Sequence, residues 1–549
     1  MKVMNKFYSG SLIVFLSLGN LVFAHTSSRP EELFDQDGNQ LICRDATCPP
    51  DSCDAVKELV VNFFCPPNAL PALLQNEIYL HTYPIVMRSL LDMPSLTASS
   101  RGICGSSVSV HAFYDQTSRE FFTKNSSILN SYINLADEGI IAGLEQIFDN
   151  MNECFSFHEM DFTRMLSLFD PMKLQERRVG LMVGLFHEGK RLYISARAPL
   201  YYLEHNFYLS HDEIKNLTNN AADAAFFETE AGQEDMSPVE DLENFFREHL
   251  ISDRLGFGDL ELTALGKVYA GRRTAFYAGV QLHVPTATTF KDGLFGANFN
   301  PDAPTPNLNL NLLVDMACNV VEDVDKTNVV LSQIKEDVTN YIVATLDRLS
   351  TVLIDRPLGN GGHFGVGPEI AFHHDINSSF SLDGYAVARY YVPHVRNRFF
   401  LVQKDLADFD RSFMDVADLE ANLDFFSQQL TNTFFPQRAR AQVKPGWLFN
   451  LRQSLDYHDK HIFGGVGFDF WYQMAEKLGT VTSLTGDTLV ISKGIVSYPS
   501  YQGKIYSSLG YKGKKGCYDW DAVFTNEFVM FNSGIGRDFT LSLKAGFYF

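Results

Sequence analysis

The last eleven residues of the chain, Phe539 to Phe549, alternate in character without a miss. Phe539, Leu541, Leu543, Ala545, Phe547 and Phe549 are apolar, while Thr540, Ser542, Lys544, Gly546 and Tyr548 make a mixed polar set. Successive side chains of a β-strand point to opposite faces, so this stretch is a strand with one wholly apolar face. A strand of a soluble sandwich alternates in the same way, but rarely ends the chain on an aromatic residue.

The period recurs along the chain. Leu260, Leu262, Ala264, Gly266, Val268 and Ala270 alternate with Asp259, Glu261, Thr263 and Lys267, and a turn around Gly271 to Arg273 leads to Phe276, Ala278, Val280, Leu282 and Val284. These two segments read as a hairpin. A second hairpin joins Phe364 to Phe372 with Phe380 to Tyr390. Further segments run over 106–114, 179–187, 192–202, 308–314, 447–457, 463–472, 501–511 and 522–531. With the terminal strand that makes thirteen. Single-chain bacterial barrels favour even numbers, so one segment is missed or one is wrong, and the expected fold is all-β: a transmembrane antiparallel barrel of about 12–14 strands with helical loop inserts. The segments have the length of a tilted membrane-spanning strand, about 9–11 residues. The chain's 46 Phe and 23 Tyr against 3 Trp then fit a lipid-facing band with aromatic girdles. The ending on Phe539, Leu541, Leu543, Phe547 and Phe549 resembles the closing strand of bacterial outer-membrane barrels, through which the barrel assembly machinery is engaged. A secreted β-sandwich or jelly roll is the competing architecture.

The remaining segments set the expected domain layout. Residues 1–24 carry Lys2 and Lys6, an apolar run from Leu12 to Leu18, and Ala24 before His25, the pattern of a cleaved signal peptide. Residues 25–100 form a Cys- and Pro-rich exported segment, in which Cys43, Cys48, Cys53 and Cys65 are disulfide candidates whose pairing stays open. Residues 101–549 are the barrel, with helical inserts near 120–176, 319–355 and 405–431 and an acidic insert at 204–254. Polar helix faces cannot meet lipid, so the helical inserts are loops or a plug. Counting strands back from Phe549 puts the 319–361 and 392–444 inserts outside the cell. No later run of 18 apolar residues suggests a membrane helix.

The net charge of -21 argues against a nucleic-acid partner. Catalysis is not expected. There is no G-x-S-x-G elbow, no H-E-x-x-H and no phosphate-cradling glycine loop, and His373 and His374 point to opposite faces of one strand, so they do not readily share a metal. No cofactor is implied.

Two patches resemble a known family. Leu255-Gly256-Phe257-Gly258-Asp259-Leu260-Glu261-Leu262, followed by Val284-Pro285-Thr286-Ala287, is similar to outer-membrane transporters of the MetA-pathway of phenol degradation, relatives of the long-chain fatty acid transporters. Ala287 stands where that pattern has Gly, and Gly365-Val366-Gly367-Pro368-Glu369 resembles a further strand. The resemblance implies passive uptake of small solutes, hydrophobic ones among them, across the outer membrane. The polar strand faces nominate Asp259, Glu261, Lys267, Tyr277, Gln281, His283, Glu369, His373, Asp383, Arg389 and Asp469 as lumen-lining, where mixed charges set selectivity. The alternative is an adhesin-like surface barrel with a plugged, non-conducting lumen. Outer-membrane lipid is the expected surrounding, and association into homo-oligomers is compatible with the sequence.

Overall fold

The computed structural model describes residues 78–80, 86–97, 105–117, 133–135, 173–208, 251–294, 356–402, 437–486, 488–489, 496–497, 499–515 and 518–549. Its strands, in chain order, begin with β1 (Ile78–Leu80), β2 (Gly105–Thr117), β3 (Ile133–Leu135), β4 (Lys173–Glu188), β5 (Leu192–Tyr208), β6 (Ile251–Phe257) and β7 (Leu260–Ala270). They continue with β8 (Thr274–Val284), β9 (Thr288–Asp292), β10 (Gly365–Asp375), β11 (Phe380–Tyr391), β12 (His394–Phe400) and β13 (Gln437–Lys444). The last six are β14 (Trp447–His458), β15 (Ile462–Gln473), β16 (Lys477–Ser483), β17 (Ser500–Lys515), β18 (Tyr518–Ser533) and β19 (Asp538–Tyr548).

Twelve of these close a ring in chain order: β2, β4, β5, β7, β8, β10, β11, β14, β15, β17, β18 and β19. The seam is the antiparallel pairing of β19 with β2, from Asp538 opposite Thr117 to Tyr548 opposite Ser107. Closure leaves the wall no open edge, which is what lets strands cross a bilayer with every backbone group bonded. These twelve are twelve of the thirteen segments read from alternation; the thirteenth, 308–314, lies outside the described residues. So do residues 1–24, all eight cysteines and the 319–355 and 405–431 inserts.

The alternation is realised as a membrane face and a lumen face. On β19, Leu541, Leu543, Phe547 and Phe549 are exposed while Ser542, Lys544 and Tyr548 are buried. Val183 and Leu185, Ile370, Leu451 and Leu455, Val466, Leu509 and Phe524 continue the exposed apolar band around the ring. Buried polar side chains and exposed large aliphatic ones invert the order of a water-soluble core, which is the arrangement a lipid solvent selects. Aromatic pairs edge the band: Tyr390–Trp447 and Trp447–Phe449 toward one rim, and Phe380–Tyr457 and Tyr511–Trp520 toward the other. No described helix is long and apolar enough to cross a membrane.

The two ends differ. Five wall hairpins turn at one end through two to four residues each, as at Gly189, whose N–H donates to the Leu192 carbonyl (2.8 Å), and Asp459, which donates to Ile462 (2.9 Å). The chain also finishes there, with Ser106 and Phe549 exchanging backbone hydrogen bonds. At the other end, long connections carry the extra strands. There β6 and β9 extend the upper part of β5, and β12, β13 and β16 form a three-stranded antiparallel sheet.

The expected boundaries shift in three places. Within the stretch read as helical near 120–176, Ile133–Leu135 is a strand and Lys173 onward belongs to β4; the acidic insert at 204–254 likewise gives up its ends to β5 and β6. The pairing of β4 with β5 runs on through Lys173–Arg178, where charged residues such as Arg177 and Glu204 form ion pairs. Above the lipid band a strand needs no apolar face, so its period fades from the sequence. The third shift concerns residues 86–97, assigned to the exported N-terminal segment but lying inside the barrel.

Candidate functional site

Residues 86–97 thread the lumen. Ser89 caps a single 3-10 turn, Leu90–Asp92, and Pro94–Thr97 add one helical turn. Val86, Met87, Arg88, Leu90, Leu91, Asp92, Met93, Ser95 and Leu96 are all buried. The wall holds this plug largely by its backbone: Arg178 donates to the Arg88 carbonyl (2.6 Å), Arg197 to that of Leu96 (3.1 Å) and Arg452 to that of Pro94 (2.8 Å). Glu527 accepts from the Ser95 N–H, and the Val86 carbonyl accepts from the Gly536 N–H (3.0 Å) in the β18–β19 turn. Two buried ion pairs fix its side chains, Arg88 with Asp469 and Asp92 with Arg389 (3.0 Å). A buried charge stripped of its partner is costly, so these pairs hold the plug in one register.

Among the eleven expected lumen residues, Asp259, Glu261, Tyr277, Gln281, His283, Glu369, Arg389 and Asp469 are buried, and Lys267, His373 and Asp383 are half-buried. They fall into separate groups. Arg389 reaches Glu261 (3.2 Å), Asp92 and Gln281, whose amide donates to Glu369 (3.1 Å), so four wall residues converge on the plug. Asp469 joins Arg88 and Asn450 (3.0 Å). Lys267 and Tyr277 share Glu188, at 3.2 and 2.8 Å, and His373 bridges Asp383 (2.7 Å) and Asp375 (3.2 Å). His374 instead turns to Thr274 (2.8 Å).

Asp259 and His283 (2.9 Å) make a knot at the long-connection end. The Asp259 carboxylate also accepts from the N–H groups of Ala287 (3.2 Å) and Asn360 (2.5 Å), and Thr286 donates to the Gly258 carbonyl (3.4 Å). The Gly258-Asp259 and Pro285-Thr286-Ala287 patches are thus one bonded unit. Gly359 approaches with φ +73°, and a Cβ there would meet the Asp259 carboxyl at 2.7 Å, so the close passage needs glycine.

Several lumen residues escaped the sequence reading. Arg197, Arg178, Lys504 and Glu527 lie on the polar face of strands already recognised, and parity alone places them: on β5 the buried Tyr193, Ser195 and Arg197 alternate with Ile194 and Ala196. The plug carried no such signal, because Val-Met-Arg-Ser-Leu-Leu-Asp-Met-Pro-Ser-Leu-Thr has no sustained period.

Between the plug and the tight-turn end lies a cavity of about 780 Å³. Pro94 and Ser95 form its roof, and the strands from β8 round to β19 its side. Beside it the lumen is filled by a buried cluster of Phe186, Tyr193, Leu265, Tyr277 and Ala371, of which Tyr277 also lines the cavity. Among the described residues no group of His, Cys, Asp and Glu is arranged to hold a metal ion.

No protein-family model matches the chain and no curated protein matches it. Solved structures do. An outer membrane channel from Pseudomonas putida F1 aligns at 11% identity and TM-score 0.37, covering 81% of this chain and 96% of that one. The toluene transporter TodX of Pseudomonas putida aligns at 8% and 0.30, covering 87% and 96%. The transport unit of the autotransporter AIDA-I from Escherichia coli aligns at 5% and 0.28, covering 84% and 95%.

Proposed function

We propose that the chain is a passive channel of the bacterial outer membrane for small solutes, held here in a plugged resting state. The observation that carries this reading is the closed ring itself, with its apolar outer band and a charged lumen in which residues 86–97 stop short of the tight-turn end and leave a cavity. Export by the 1–24 signal and insertion through β19 belong to the same reading. The plug also gives the display-scaffold alternative its best support, since it is ion-paired to the wall.

Conductance separates the two. Purified protein in a planar bilayer is compared with the double variant Asp92→Asn/Arg88→Gln, which removes both plug charges. A channel shows measurable current and a several-fold larger or longer opening in the variant. Silence in both, from protein whose gel mobility shifts on boiling as a folded barrel's does, overturns the channel in favour of the scaffold.

A further inference from the structure

The cavity below the plug has a chemistry of its own. One wall strand, β14, sends Arg452, Ser454, Asp456 and His458 into it at every second position. The cation sits at the plug end, donating to the Pro94 carbonyl and to Tyr506 (2.6 Å), whose ring lies 4.4 Å from the guanidinium carbon. Asp383 and Asp456 sit toward the mouth, whose rim also carries Lys460, Lys512 and Lys514. Asp383 on β11 pairs in register with Ser454, its neighbour Ser381 lies opposite Asp456, and Asp375 follows at the end of β10. His373 is the ring that bridges Asp383 and Asp375, while Asp456 accepts from Ser454 (2.7 Å).

Across the cavity, Lys544 of β19 lies 3.3 Å from Asp521, and Tyr548 donates to the same carboxylate (2.7 Å). Rings also line it, Phe372, Tyr385, Phe463 and Trp520 among them, while Val523 and Pro94 are its aliphatic side chains. A hydrocarbon can rest against those rings, but it strips water from the charged groups and returns no hydrogen bond to them, which costs free energy there. A solute with separated charges meets partners for both. Four residues of strand separate Arg452 from Asp456, about 13 Å of backbone rise, the scale of a short extended peptide. The volume lies in the usual range for a small-molecule site, about 300–1,000 Å³.

Resting on the channel reading, we propose that this cavity is a subsite for small zwitterionic solutes, the anionic end toward Arg452 and the cationic end at Asp383 and Asp456. The class differs from the hydrophobic solutes that the sequence resemblance implies.

Triglycine, triglycinamide, N-acetyltriglycine and toluene are the probes, titrated calorimetrically into detergent-solubilised full-length protein. Triglycine binds about tenfold tighter than either single-charge analogue, a difference of about 1.4 kcal/mol, and toluene does not compete. Asp383→Asn/Asp456→Asn brings triglycine down to the level of N-acetyltriglycine, and Arg452→Gln brings it down to that of triglycinamide. Heat-modifiable mobility establishes that each variant is folded; if the double variant is not, Arg452→Gln alone decides. Equal affinity for the three peptides, no binding, or competition by toluene overturns the proposal. Because binding is read without a pore, absent potassium chloride current with intact binding removes the channel reading and leaves the site.

Discussion

At the scale of single residues, Asp259 shows how a position legible in the sequence acquires an unexpected task. Alternation along β7 nominates it for the polar face, and it is buried there. Its carboxylate, however, is occupied by His283 and by the N–H groups of Ala287 and Asn360, the latter 101 positions away. A period-two reading sees neighbours on one face and has no access to a loop returning from a distant part of the chain. Asp259→Ala leaves those donors unsatisfied under cover and costs about 2–3 kcal/mol locally. The expected result is faster proteolytic cutting near Thr288–Asp292 and 356–364, with the boiled-versus-unboiled mobility shift preserved. Unchanged cutting would show that the knot is not what holds these segments.

Among the elements, the wall strands were readable and the sheet of β12, β13 and β16 was not. A wall strand must show lipid an unbroken apolar face, which prints a strong period into β14 or β19. The sheet buries only small patches, with Phe400, Ala439 and Ala441 packed against Leu478, Val481 and Leu489, and its strands are crowded with arginine. Its anchor is ionic: Arg398 grips both oxygens of Glu476 (3.2 and 3.0 Å), which also accepts from the Ser497 N–H (3.2 Å). Burial alone raises the Glu476 carboxyl, but Arg398, the Ser497 N–H and Arg396 together outweigh it and hold the group below its ordinary range. Nearby, His363 faces the Val392 carbonyl (3.1 Å), and burial lowers its imidazole to about 4. Both groups bind fewer protons folded than unfolded, so both contribute stability at neutral pH that falls as the solution is acidified. The loss begins as pH drops through the ordinary histidine value near 6.5 and continues as the carboxylate protonates. Limited proteolysis at pH 7.5, 5.5 and 4.5 should therefore cut the 392–402 and 437–446 region increasingly, with His363→Gln flattening the first step. A sheet equally resistant at all three pH values contradicts this account.

For the whole molecule, strand number, chain-order pairing and the two-faced wall followed from one repeated pattern and a closing strand, because lipid imposes the same demand on every wall segment. What fills the ring did not follow, since a plug touches protein on all sides and satisfies no solvent rule. Among the described buried side chains, thirteen are Asp or Glu and seven are Lys or Arg. An excess of fixed negative charge favours cations in any water path past the plug. Under a potassium chloride gradient the reversal potential should show potassium preferred over chloride several-fold, and an anion-selective current would contradict it. The plug also constrains how the protein is made. Its chain is fastened at Val86 beside Gly536 at the long-connection end and stays buried inside the ring to Leu96, and β2 begins at the tight-turn end at Gly105. Sealing β19 to β2 last encloses that segment, whereas sealing it first would require the segment to be drawn into a finished ring. The order of assembly is therefore written into the topology: the wall is wrapped around a segment of its own chain.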